Sequence, residues 1–120
     1  MQMLVVDDDL HVQDLMAACL RTHGHTVLVA DGAAAALAAV DRHGMPEAVV
    51  LDVTRPDADG VTLLHRLRQR VPGLPALLLT WSWKPADLAP VPPGNVGFLA
   101  KPFTYADLFR AVGELSARSV

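Results

Sequence analysis

The sequence predicts an open α/β domain: five short parallel strands in one sheet, with helices packed on both faces. Two observations predict it. Short apolar runs recur at 3–6, 26–30, 48–52, 74–80 and 96–100. Most intervals between them carry apolar residues at every third or fourth position, which is the spacing of one helix face. Strands that alternate with helices need crossover connections, and these are right-handed and leave the sheet covered on both sides. For a chain of 120 residues the natural strand order is the flavodoxin-like, doubly wound 2-1-3-4-5.

The elements follow in order. Met3-Leu4-Val5-Val6 reads as the first strand and ends in Asp7-Asp8-Asp9. Val12, Leu15, Met16, Cys19 and Leu20 then fall at i, i+3, i+4, i+7 and i+8, so a helix begins near Leu10. Gly24 stops it, where a helix end favours a left-handed residue. Thr26 to Ala30 is the second strand, broken by Asp31-Gly32, and Ala33 to His43 is an Ala-rich second helix with Leu37 and Val40 facing inward. Gly44 and Pro46 close that helix before Ala48-Val49-Val50-Leu51-Asp52, a run that suits a strand buried on both faces. Val61, Leu64, Leu67 and Val71 mark a third helix ended by Pro72-Gly73, and Leu74 to Thr80 is the fourth strand. The segment 81–95 breaks the alternation. Pro85, Pro90, Pro92 and Pro93 each lack a backbone donor and disfavour helical geometry before them. This segment is expected to be an irregular, proline-rich loop in place of a fourth crossover helix, with at most one turn near Ala86 to Ala89, serving as a lid or partner surface beside Thr80. Val96 to Ala100 resumes as the fifth strand. Thr104 and Asp107 form a capping box for a last helix striped by Tyr105, Leu108, Phe109, Val112 and Leu115.

Composition bounds the rest. The chain reads as a single domain, 1–120, without repeats or linkers, 52% hydrophobic and 19% charged. No apolar run approaches the ~18 residues of a membrane span, and no signal peptide precedes the first strand. A formal charge of -3 argues against nucleic acid as a direct ligand. Cys19, the one cysteine, cannot form an internal disulfide, fits a reducing cytoplasm and reads as core filler.

The strand ends carry the chemistry. Strand one delivers Asp7, Asp8 and Asp9, strand three Asp52, strand four Thr80 and strand five Lys101. In a parallel sheet these ends share one edge, the place where open α/β sheets bind ligands, and strands one and three are neighbours at the switch point. Crowded carboxylates cannot all stay ionised without compensation, and an all-oxygen site with open water positions suits Mg²⁺. A metal and the Lys101 ammonium would neutralise an incoming phosphoryl group while Thr80 donates a hydrogen bond to it. Phosphoryl transfer asks little more than such positioning and charge stabilisation, and an Asp carboxylate is an established type of acceptor. Each piece taken singly is common; the joint placement on four strand ends is specific.

Val5-Val6-Asp7-Asp8-Asp9, Leu51-Asp52 with Pro56 and Asp59-Gly60, Leu79-Thr80, and Phe98-Leu99-Ala100-Lys101-Pro102-Phe103 together resemble the receiver domain of response regulators (CheY-like) in two-component signalling, over nearly the whole chain. The resemblance implies that Asp52 is the phosphoacceptor, served by a sensor histidine kinase or histidine phosphotransfer protein. It implies Mg²⁺ held by Asp8, Asp52 and the Thr54 backbone carbonyl, with Asp7 acting mainly through water. It also implies a phosphoryl contact from Lys101, a cis peptide before Pro102, and Thr80 and Phe98 as a switch pair. Such a protein is a signalling phosphoacceptor whose chemistry is limited to its own phosphotransfer and dephosphorylation. An output protein or a homodimer is a further expected partner.

Trp81 departs from the small residue usual after the switch Thr, and a bulky indole there would crowd or cover the pocket. This departure and the missing helix support an alternative, an atypical pseudo-receiver that works through protein contacts without phosphorylation. A haloacid-dehalogenase-like phosphatase also uses a strand-end Asp, but it needs a second Asp two residues on, where Thr54 stands here. His11 and the arginines Arg66, Arg68 and Arg70 read as solvated, and Trp83 is assigned no role.

Overall fold

The computed structural model describes residues 1–52, 59–80 and 94–118. Its elements are β1 (Gln2–Val6), α1 (Leu10–Thr22), β2 (Thr26–Ala30), α2 (Ala33–His43), β3 (Ala48–Asp52), α3 (Asp59–Arg70), β4 (Ala76–Thr80), β5 (Val96–Ala100) and α4 (Tyr105–Arg118). All neighbouring strands pair in parallel, in the order β2-β1-β3-β4-β5. The expected order is therefore observed. The proline-rich segment with Trp81 and Trp83, and the loop with Thr54 and Pro56, lie outside the described residues.

Side chains alternate across the sheet, so each strand feeds two cores. Leu4 and Val6, Val49 and Leu51, and Ala76 and Leu78 pack with Ala36 and Val40 of α2 and Leu64 and Leu67 of α3. Met3 and Val5, Ala48 and Val50, and Leu77 and Leu79 pack with Met16 and Leu20 of α1 and Leu108, Val112 and Leu115 of α4. β3 and β4 are consequently buried along nearly their whole length, as central parallel strands are. The edge strands β2 and β5 are only partly covered.

Helix ends follow their local chemistry. Asp9 caps α1, its Oδ1 accepting from the amides of His11 (3.0 Å) and Val12 (3.3 Å). Gly24 adopts φ +87° just past α1, and its N–H donates to the Arg21 carbonyl at 3.0 Å. The expected capping box is present: the Thr104 hydroxyl accepts from the Asp107 amide and the Asp107 carboxylate from the Thr104 amide, both at 3.1 Å.

Four details differ from the sequence expectation. β4 begins at Ala76, not Leu74, because the Leu74 amide turns back to the Val71 carbonyl at 3.1 Å and Pro75 has no N–H. The buried face of α1 is Gln13, Met16, Ala17 and Leu20, rotated one position from the apolar series, which leaves Leu15 41% exposed. Tyr105 likewise lies mainly outside the core. Arg68 is no freely solvated side chain. Its guanidinium donates to the carbonyls of Leu74 (2.9 Å) and Gly94 (2.6 Å), tying the approaches of β4 and β5 to α3.

Candidate functional site

The register of the sheet assembles the site. Val6 pairs with Leu51, Asp52 with Leu79 and Thr80 with Ala100. The residues just beyond these pairs, Asp7 and Lys101, therefore meet Asp52 at one edge. Lys101 Nζ lies 2.9 Å from Asp52 Oδ2 and 3.2 Å from Asp7 Oδ2. The side chains are 6% (Lys101), 13% (Asp52) and 0% (Asp7) exposed, so these ion pairs are largely withdrawn from water. Asp8 is exposed at the rim, and one oxygen from each of Asp7, Asp8 and Asp52 lies within 4.8 Å of the others.

Sequence reasoning grouped three acids after β1, and the structure gives each a separate task. Asp9 is spent on the cap of α1. Asp7 is held on all sides: its N–H donates to the Ala30 carbonyl at 3.1 Å, Oδ1 accepts from the Asp9 amide at 2.9 Å, and Oδ2 meets Lys101. Asp8 turns outward beside Asp52.

Among the described residues, three carboxylates gather around one ammonium. Burial pushes the Asp7 carboxyl above the usual carboxylate range, reinforced by Asp52 and opposed by the Asp9 amide and Lys101. Burial works to lower the Lys101 pKa, but the Asp52 and Asp7 carboxylates outweigh it and hold the ammonium above the ordinary lysine value. So far as the ammonium's own titration goes, the stabilising contribution of Lys101 is complete below the ordinary lysine pKa and fades as pH rises through the raised one. An all-oxygen set with an exposed carboxylate at its rim fits a small hard cation.

Thr80 is 1% exposed, and its carbonyl accepts from the Lys101 amide at 2.9 Å. Phe98 lies two residues before Ala100, the partner of Thr80, so both side chains are on one face of the sheet. Phe98 is 38% exposed. The Lys101-Pro102 peptide is cis. Thr54 lies outside the described residues. His11 is exposed, as expected.

Gln13 was given no role by the sequence. It is buried, and its Nε2 donates to the carbonyls of Asp7 (3.2 Å) and Ala30 (2.8 Å), at the ends of β1 and β2. A signal was available: Gln13 stands three, four and seven residues before Met16, Ala17 and Leu20, which places it on their face.

Comparison with known proteins agrees with this arrangement. The family model described as "Response regulator receiver domain" matches residues 3–113. The transcriptional regulatory protein TcrA of Mycobacterium tuberculosis is 41% identical over 98% of this chain and 46% of its own length. The response regulator MprA of Mycobacterium leprae is 33% identical over 99% of this chain and 52% of its own. The chain thus spans about half the length of these two regulators. Among solved structures, the receiver domain of NtrX from Brucella abortus superposes with a TM-score of 0.76 at 27% identity, covering 94% of this chain and 96% of that one.

Proposed function

The chain belongs to the response regulator receiver domain family, and on that premise we propose that it is a phosphoaccepting switch in which Asp52 takes a phosphoryl group from a sensor histidine kinase or histidine phosphotransfer protein in the cytoplasm. The observation that carries this reading is the Lys101 ammonium bound between Asp52 and the buried Asp7, with Asp8 exposed beside them. A carboxylate oxygen of Asp52 attacks phosphorus. The new P–O bond forms as the bond to the donor nitrogen breaks, and the imidazole leaves with the electron pair. Lys101, already beside Asp52, pairs with the arriving charge. Asp8, Asp52 and the Thr54 carbonyl, with Asp7 in support through water, would hold Mg²⁺, which would supply further charge neutralisation. The Thr80 hydroxyl then moves to a phosphoryl oxygen, and the Phe98 ring turns into the space behind it. The protein is a signalling domain whose chemistry is confined to its own phosphorylation and dephosphorylation, and an output protein or a second copy reads the result.

Intact mass after incubation with acetyl phosphate and Mg²⁺ tests this. The wild type should gain one phosphoryl group, and Asp52→Ala and Asp52→Asn should gain none. A gain that persists in Asp52→Ala overturns the assignment. A wild type that stays unmodified supports the pseudo-receiver instead.

A further inference from the structure

We infer that Gln13 is a positioning residue for the acidic pair: by holding the Asp7 and Ala30 carbonyls together, its amide sets the peptide plane from which Asp7 and Asp8 direct their carboxylates. The inference rests on the cation site proposed above and assigns that site a support on α1.

Packing does not call for an amide at this position. Gln13 is 5% exposed and shares the buried face of α1 with Met16, Ala17 and Leu20. An apolar side chain would fill the space, whereas burying an amide is costly unless it is hydrogen-bonded. Its two N–H groups are aimed at the carbonyl of Asp7 at 3.2 Å and that of Ala30 at 2.8 Å. The Ala30 carbonyl also accepts the Asp7 amide at 3.1 Å, so one residue ties the ends of β1 and β2 into a closed set of bonds. The Asp7 carbonyl belongs to the Asp7–Asp8 peptide. Rotation of that peptide would swing the Asp8 carboxylate away from Asp52 and loosen Asp7 from Lys101. Gln13 opposes that rotation without touching either carboxylate. Groups that orient metal-binding residues in this way usually contribute 10- to 100-fold in metal affinity.

The test is the dissociation constant for Mg²⁺, measured by calorimetry on the full chain well below its melting temperature. Gln13→Met keeps length and volume and removes the donors; Met16→Ala loosens the same helix face and leaves the bonds to Asp7 and Ala30 in place. The expected result is about tenfold weaker Mg²⁺ binding in Gln13→Met and wild-type affinity in Met16→Ala, although both variants melt earlier. Wild-type affinity in Gln13→Met overturns the inference, and so does equal weakening in Met16→Ala, which would mark a general loss of rigidity. Should Gln13→Met fail to fold, Gln13→Asn keeps the amide one methylene short of the carbonyls and should weaken binding in the same direction; unchanged affinity there overturns the inference. Absence of Mg²⁺ binding in the wild type overturns the cation site itself, and this inference with it.

Discussion

The carboxyl edge of the sheet has two halves of different construction. On one side, β1 and β3 end in Asp7, Asp8 and Asp52, and Val5, Val50 and Leu51 just beneath them are completely buried. On the other, β4 leads to Thr80 and β5 carries Phe98 and leads to Lys101, and β5 is only partly covered throughout. A strand clamped between two close-packed cores cannot shift without opening both. The acidic half therefore holds a fixed geometry, further pinned by Gln13 and the Asp7 hydrogen bonds. The β5 half is less deeply covered, and its start is held by Arg68 through backbone carbonyls. Lys101 joins the halves: its amide bonds to the Thr80 carbonyl of β4, and its ammonium reaches across to Asp52 and Asp7. On the function proposed above, the chemistry would stay with the acidic half and the response would travel through β5.

Breaking the joint should have the largest effect. Lys101→Met leaves Asp7 and Asp52 facing each other without their ammonium, and removing one partner of a buried pair costs about 3 kcal/mol. Urea unfolding at pH 7 in chelator should show that loss. The loss should also shrink as the pH falls. A carboxyl whose folded pKa is raised binds a proton in the folded state before the unfolded chain does, so its protonation favours the fold as pH drops through that raised value. A loss that stays constant as the pH is lowered from neutrality toward the ordinary carboxylate range would break the electrostatic account of the pocket.

A smaller effect of opposite sign is expected at the rim. Asp8→Ala removes one of the crowded carboxylates, and in chelator it should be more stable than wild type. At an exposed position the gain is roughly 0.5 kcal/mol, or about 2 °C in melting temperature. The same variant should lose the Mg²⁺-dependent rise shown by the wild type. Lower stability than wild type in chelator would mean that Asp8 serves the fold and is not held under repulsion.

Strand positions were legible in the sequence because a two-sided core leaves unbroken apolar runs such as Val49-Val50-Leu51, and parallel topology then sends every strand end to one edge. The convergence of Asp7, Asp8, Asp52 and Lys101 followed from that topology. Gln13 was not legible from composition: a polar residue beside Val12 and Asp14 looks solvated until the helix is rotated to bury Ala17 rather than Leu15. Arg68 was missed for a related reason. Its partners are carbonyls of Leu74 and Gly94, and backbone acceptors leave no mark in a sequence.

The contrast between the halves is tested most directly by amide hydrogen exchange, resolved strand by strand, with and without Mg²⁺ and beryllofluoride as a stable stand-in for the phosphoryl group. Protection across β1 and β3 should stay at its starting level, while exchange along β5 changes as Phe98 turns and Lys101 moves. Changes in β1 and β3 as large as those in β5, or an unaltered β5 once the ligand is bound, would contradict a fixed acidic half and a responsive β5.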